Sequence, residues 1–228
     1  ACLRRSANAL SMAGEYKEGR ENQMENIEKL RDIRLFLFDM DGTLYIGDRL
    51  FDFTVPLLDK IKKSGGRYMF FTNNSSKSVS AYIEKLKKLG IEAGREDFLT
   101  SSQATAFYLR ENHSRNTFYV CGTRSLKEEL RHEGFNVTET RDRADAVIMG
   151  FDTELTFQKL EDVCRLLMAG DIPYIATNPD LVCPTEFGSV PDCGSVCHMI
   201  YNATGKRPVV IGKPSPLMPE LAMKRPQL

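Results

Sequence analysis

Two aspartates one residue apart, Asp39 and Asp41, follow directly on the apolar run Leu35-Phe36-Leu37-Phe38 and precede Gly42 and Thr43. In an extended chain residues i and i+2 point to the same side, so the two carboxylates can flank one reacting centre. Carboxylates that close resist joint ionisation unless a divalent cation neutralises one or the second holds a proton. The pair therefore supplies an anionic nucleophile, Asp39, and an acid, Asp41. Folding alone gives no reason to place such charge where a buried strand ends.

Three further polar clusters follow apolar runs. Thr72-Asn73-Asn74-Ser75-Ser76 offers a hydroxyl and backbone N–H groups suited to phosphate oxygens. Gly212-Lys213-Pro214-Ser215 adds a cation against the charge of a phosphoryl group and two carboxylates. Thr177-Asn178-Pro179-Asp180 is the remaining one. Two other phosphate or metal motifs fail on spacing. A calcium loop beginning at Asp39 would need Gly and Glu where Leu44 and Leu50 stand, and a P-loop ending at Lys213 would need Gly at Arg207 and Ser or Thr at Pro214.

The elements that must hold these clusters read as alternating strands and helices, the pattern of parallel βαβ units. Strands are predicted at Ile33 to Phe38, Arg67 to Thr72, Asp97 to Ser101, Thr117 to Cys121, Ala144 to Met149, Pro173 to Thr177 and Pro208 to Ile211. Apolar residues at helical spacing, Val79, Ile83, Leu86 and Leu89, then Phe157, Leu160, Cys164 and Leu167, predict helices ending at Gly90 and Gly170. In open parallel sheets ligands sit beyond the carboxyl ends of strands, where all four clusters fall. Ser75 or Ser76 is expected to cap the helix that follows the second cluster.

Composition narrows the class of protein. Over 228 residues Lys and Arg total 31 against 31 for Asp and Glu, so no global field favours nucleic acid or an anionic membrane. No apolar run is long enough to span a bilayer and no secretory signal is evident, which predicts a cytoplasmic protein. Six cysteines without a CxxC pair read as reduced, mostly buried thiols, with Cys193 and Cys197 on one helix face. Residues 1–30 are expected to form an N-terminal extension, within which Met24 is an alternative start.

The runs Asp39-Met40-Asp41-Gly42-Thr43-Leu44-Tyr45, Thr72-Asn73-Asn74-Ser75 and Gly212-Lys213-Pro214-Ser215 resemble the first three motifs of the haloacid dehalogenase superfamily. Leu99-Thr100-Ser101-Ser102-Gln103-Ala104-Thr105-Ala106 and Ala176-Thr177-Asn178-Pro179-Asp180 are similar to its NagD-like branch, subfamily IIA, which includes 4-nitrophenyl and phosphoglycolate phosphatases. The resemblance implies an α/β protein: a Rossmann-like parallel sheet core with an inserted α/β cap domain of the C2 type. It implies a magnesium-dependent phosphatase that hydrolyses small phosphate monoesters through an aspartyl phosphate. Asp39 would be nucleophile and Mg2+ ligand, and Asp41 general acid/base and Mg2+ ligand through its carbonyl. Thr72 and Lys213 would bind the phosphoryl group, with Asn73 and Asn74.

About four times as many residues separate Thr72 from Lys213 as Asp39 from Thr72, more than core elements need. The surplus is expected to be the cap, residues 113–190 with two or three strands and two helices, leaving 31–112 and 191–228 as core. Asn178, Asp180 and the Gly188 to Gly194 loop are then candidates for contact with the leaving group. The expected partner is a small phosphorylated metabolite, without nucleic acid or membrane, and homo-oligomerisation through the cap stays open. A fourth acidic motif that completes the magnesium site in the resembled family is expected after Lys213, but the sequence ends at Leu228. The core is therefore expected to be incomplete at its C-terminus, and a non-catalytic phosphate-binding or interaction module is the alternative function.

Overall fold

The computed structural model describes residues 33–224; the expected N-terminal extension and Cys2 lie outside the described residues. The chain opens with β1 (Leu35–Phe38), a short hairpin of β2 (Tyr45–Ile46) and β3 (Arg49–Leu50), α1 (Thr54–Lys63), β4 (Arg67–Thr72), α2 (Val79–Lys88), β5 (Phe98–Thr100) and α3 (Ser101–Asn112). β1, β4 and β5 form a parallel sheet in the order β1-β4-β5, with Leu35 opposite Arg67 and Thr72 opposite Thr100. β4 reads Arg-Tyr-Met-Phe-Phe-Thr and is buried from Tyr68 onward. That continuous apolar run is what a strand covered on both faces requires.

A second unit follows: β6 (Thr117–Cys121), α4 (Arg124–His132), β7 (Asn136–Thr138), β8 (Ala146–Met149), α5 (Phe157–Ala169), β9 (Tyr174–Ala176), an antiparallel hairpin of β10 (Val182–Thr185) and β11 (Gly188–Pro191), α6 (Cys193–Thr204) and β12 (Val209–Val210). Its sheet is parallel throughout, in the order β12-β9-β8-β6-β7. α7 (Leu217–Lys224) closes the described chain. The seven predicted strands are all present, and both predicted helices run as expected to Gly90 and Gly170.

Two expectations need correction. The second sheet has five strands, and it does not end near residue 190. β12 pairs with β9, and α6 packs on α5 and β9. The reason is the apolar stripe Cys193, Val196, Cys197 and Ile200, at helical spacing, which seals one face of β8 and β9 with Val163, Leu166 and Leu167 of α5. The other correction concerns the cap of α2. Ser78 takes that position, its Oγ accepting from Ala81 N at 3.3 Å, because Ser75 and Ser76 are bonded elsewhere.

The other helices start as their sequences dictate. Thr100 and Gln103 make a reciprocal capping box at α3. Thr123 and Thr156 cap α4 and α5 in the same way by accepting from residue N3. Between the sheets lies one apolar cluster that takes Met69, Phe71 and Leu99 from the first, Phe118, Val120, Ile148 and Ile175 from the second, and Leu109, Leu126 and Met218 from the helices. The two sheets are thereby packed so that the loops leaving β1, β4, β9 and β12 meet.

Candidate active site

Asp39 and Asp41 leave β1 in a tight turn. Met40 O accepts from Thr43 N at 3.1 Å and Leu44 N at 2.9 Å, and Gly42 N donates to Tyr45 O at 2.8 Å. Gly42 has φ +81°, the left-handed region that disfavours a side chain. Met40, between the aspartates, is fully buried in the apolar cluster under the turn, so its neighbours are held apart from that cluster.

Burial raises the Asp41 carboxyl above the usual carboxylate range, and Asp39 adds to the shift, while Lys85 and Lys77 oppose it. Lys85, from α2, stands 3.9 Å from Asp41 Oδ1 and 4.0 Å from the centre of the Tyr45 ring. Lys85 was not legible as a neighbour of Asp41, since α2 meets the turn only through packing.

The loop after β4 is built from side chains bonding backbone. Thr72 Oγ1 accepts from Asn74 N at 3.1 Å, and Asn74 Oδ1 accepts from Ser76 N at 3.0 Å and Ser76 Oγ at 2.7 Å. Ser75 is buried: its Oγ accepts from Phe151 N and shares a hydrogen bond with Thr177 Oγ1, both at 2.9 Å. Asn73 O accepts from Ser101 Oγ at 2.6 Å and Asn178 Nδ2 at 2.9 Å. The first sheet's loop is thus fastened to the ends of β8 and β9.

Lys213 reaches the same place from beyond β12. Its Nζ lies 2.6 Å from Asp39 Oδ1 and donates to Phe71 O at 3.0 Å. Asn73 fixes its backbone on both sides, Oδ1 accepting from Lys213 N at 2.8 Å and Nδ2 donating to Lys213 O at 3.1 Å. The same Nδ2 donates to Asp180 Oδ2 at 2.9 Å. A Cβ at Gly212 would fall 2.6 Å from Thr177 O and 2.7 Å from Asn73 Oδ1, so only glycine allows this approach.

Together these residues enclose a cleft of about 350 Å³ lined by Asp39, Asp41, Thr72, Asn73, Asn74, Asp180 and Lys213. Every predicted site residue except Asn178 is on it. Asn178 is fully buried; it donates to Asn73 O and accepts from Asp180 N at 2.9 Å, so it supports the site from behind. Of the predicted Gly188 to Gly194 loop only Asp192 lines the cleft, joined by Val182, Cys183 and Pro184 of β10. Gly194 instead packs on Pro179 O, which a Cβ would meet at 2.1 Å. Asp192 caps α6 through Cys193 N, and burial pushes its carboxyl up to about 6. Its place just before a helix is the one sequence signal that marks it; nothing local marks Cys183.

Residues 36–136 match the haloacid dehalogenase-like hydrolase family. An acid sugar phosphatase of Staphylococcus epidermidis is 32% identical over 189 residues, which cover 83% of this chain and 72% of that protein. The chain belongs to the haloacid dehalogenase-like hydrolases. The crystal structure of a 4-nitrophenylphosphatase from Thermotoga maritima superposes with a TM-score of 0.79 at 37% identity, covering 84% of this chain and 73% of that one. A glycerol phosphate phosphatase from Mycobacterium tuberculosis, solved in complex with calcium, gives 0.77 at 31% identity, covering 85% and 56% respectively. Within the haloacid dehalogenase-like hydrolases these likenesses fall on the NagD-like branch.

Enzymes of this family that act on phosphate esters generally use a divalent metal. Among the described residues no group of three or more His, Cys, Asp and Glu is arranged to hold one. Asp39 and Asp41 nonetheless offer hard oxygen donors on an open cleft, and magnesium binds through one or two carboxylates with water completing its shell. The donor set fits an ion held largely by water and ligand oxygens. Cys193 and Cys197 hold no such place: their sulfurs are 4.0 Å apart in the buried interior of the second unit. No helix among the described residues is long and apolar enough to cross a membrane.

Proposed function

We propose that this chain is a phosphomonoester hydrolase that works through an aspartyl phosphate on Asp39. The observation that carries the reading is the contact of Lys213 Nζ with Asp39 at 2.6 Å, in one cleft with Asp41, Thr72 and the loop amides. It joins a nucleophile, an acid and a set of phosphate-binding donors that come from two different sheets.

A phosphate ester binds with its oxygens toward Lys213, the Thr72 hydroxyl and the Asn73 amide. Lys213 pairs with Asp39 and neutralises charge on the phosphoryl oxygens. An Asp39 oxygen attacks phosphorus, the bond to the leaving oxygen breaks, and that oxygen takes the proton of the Asp41 carboxyl. Water then attacks the phosphorus of the aspartyl phosphate and gives its proton to Asp41. Inorganic phosphate leaves and both carboxyl groups return to their starting states. A magnesium ion, for which Asp39 and the Asp41 carbonyl are the ligands on offer, would add charge neutralisation at the phosphoryl group.

The five-stranded unit, residues 113–210, acts in this reading as the cap that meets the leaving group. Its hairpin turn already touches the β2–β3 flap, because a Cβ at Gly47 would fall 1.9 Å from Glu186 Oε1. Turnover of p-nitrophenyl phosphate with magnesium tests the proposal. Asp39→Asn is expected to reduce it to background; an intact, folded chain without turnover leaves the non-catalytic alternative standing, and turnover indifferent to Asp39→Asn overturns the aspartyl phosphate.

A further inference from the structure

The cleft is made of two chemically unlike halves. Lys213, Thr72 and the Asn73 and Asn74 backbone come from the loops after β12 and β4, whereas Asp180, Cys183 and Asp192 come from the segment between β9 and α6. Asp180 and Asp192 are held side by side, since Asp192 N donates to Leu181 O at 3.0 Å and Gly194 N to Asp180 O at 2.8 Å. Among the described residues neither carboxylate has an ion-pair partner within 4.0 Å. The Asp180 carboxylate takes one side-chain hydrogen bond, from Asn73, and Asp192 takes one on Oδ1 from Cys193 N, with the Asn178 side chain also favouring its ionised form.

An ionised carboxylate has about four acceptor sites, so both keep capacity for a donor in the cleft. The charge felt by Asp192 is that of Asp180, not of any lysine. Lys77 acts instead on Asp41 and Cys183.

Given phosphate-ester binding at Lys213 and Thr72, we infer that Asp180 and Asp192 select esters with an uncharged, hydroxyl-bearing leaving group and reject esters that carry a carboxylate there. Hydroxyl hydrogens meet carboxylates whose acceptor capacity is only partly filled. A leaving-group carboxylate meets two anions at close range, where a single like charge costs about tenfold or more in affinity. The selection acts on the leaving group alone, because Asp39 and Asp41 face the phosphoryl group of every ester equally.

The test uses two esters that differ only in this respect, 2-hydroxyethyl phosphate and 2-phosphoglycolate, titrated calorimetrically with magnesium into the full chain carrying Asp39→Asn to prevent turnover. At least about tenfold tighter binding of 2-hydroxyethyl phosphate is expected. Asp180→Asn and Asp192→Asn, added singly, should each narrow the gap severalfold by strengthening 2-phosphoglycolate. Both replacements keep the fold within reach, since Asn caps a helix as well as Asp and still offers Asn73 an acceptor. Equal affinities, no binding of either ester, or a gap that neither replacement changes overturns the inference. p-Nitrophenyl phosphate turnover with Asp39 intact reports on hydrolysis separately, so turnover combined with equal affinities removes the selectivity and leaves the phosphatase.

Discussion

Asn73 holds Lys213 at both its N–H and its C=O and reaches Asp180 as well, linking the loops after β4, β9 and β12 through one side chain. Lys213 itself is partly open to solvent and its pair with Asp39 is not a source of much stability. Lys213→Ala is therefore expected to lower kcat/KM for p-nitrophenyl phosphate by about 10²–10³-fold with little change in thermal stability. Asn73→Ala should do the reverse in proportion: a smaller loss of rate, with about 1–3 kcal/mol of stability lost as Lys213 N is left without its acceptor. Paired kinetic and denaturation measurements on the two variants check the contrast. Asp39, Asp41, Thr72 and Lys213 were legible because each directly follows a readable apolar run. The role of the Asn73 side chain was not, because its partners stand 107 and 140 residues away.

Helix α4 carries a carboxylate that its packing does not satisfy. Glu129 lies between Leu126 and Leu130, is 7% exposed, and neither of its oxygens has a hydrogen-bond partner among the described residues. Burial pushes its carboxyl up to about 7; Arg95 works against the shift and Glu133 with it. A carboxyl whose pKa is raised by folding is bound more tightly to its proton in the native state. Its contribution is complete below the unfolded value near 4.5 and is lost as pH rises through about 7.

Glu129→Gln should remove that slope and stabilise the protein at pH 8 by up to about 3 kcal/mol, with little effect at pH 4.5. Urea unfolding at the two pH values measures it. Helices such as α2 and α5 were within reach of pattern reading, yet the hairpins β2–β3 and β10–β11 were not, since each strand is too short to show alternation. The allegiance of α6 and β12 to the second sheet also escaped it. The Cys193 to Ile200 stripe says that a face is buried, without saying against what.

The two sheets share one apolar cluster, and that governs how the molecule comes apart. Leu109 of α3 is fully buried in it, in company with residues of both sheets. Leu109→Ala should cost about 2–5 kcal/mol. Because the cluster is common, secondary structure and p-nitrophenyl phosphate turnover are expected to be lost together on heating, at a lower temperature than in the unaltered chain. Two resolved transitions by circular dichroism would mean that the sheets unfold separately.

The order of residues along the chain settles which loops carry the candidate site residues, since apolar runs, helical spacing and the polar residues that end them are local and survive without any partner. It settles the parallel α/β class for the same reason. Which loops meet is another matter. Apolar burial is non-directional, so the pattern that marks a buried face is silent about the face it covers. The pairing of β12 with β9, the seating of α3 and α4 between the sheets and the glycine at 212 are what bring Lys213 to Asp39 and set Asp180 and Asp192 in one cleft with the loops after β4 and β12.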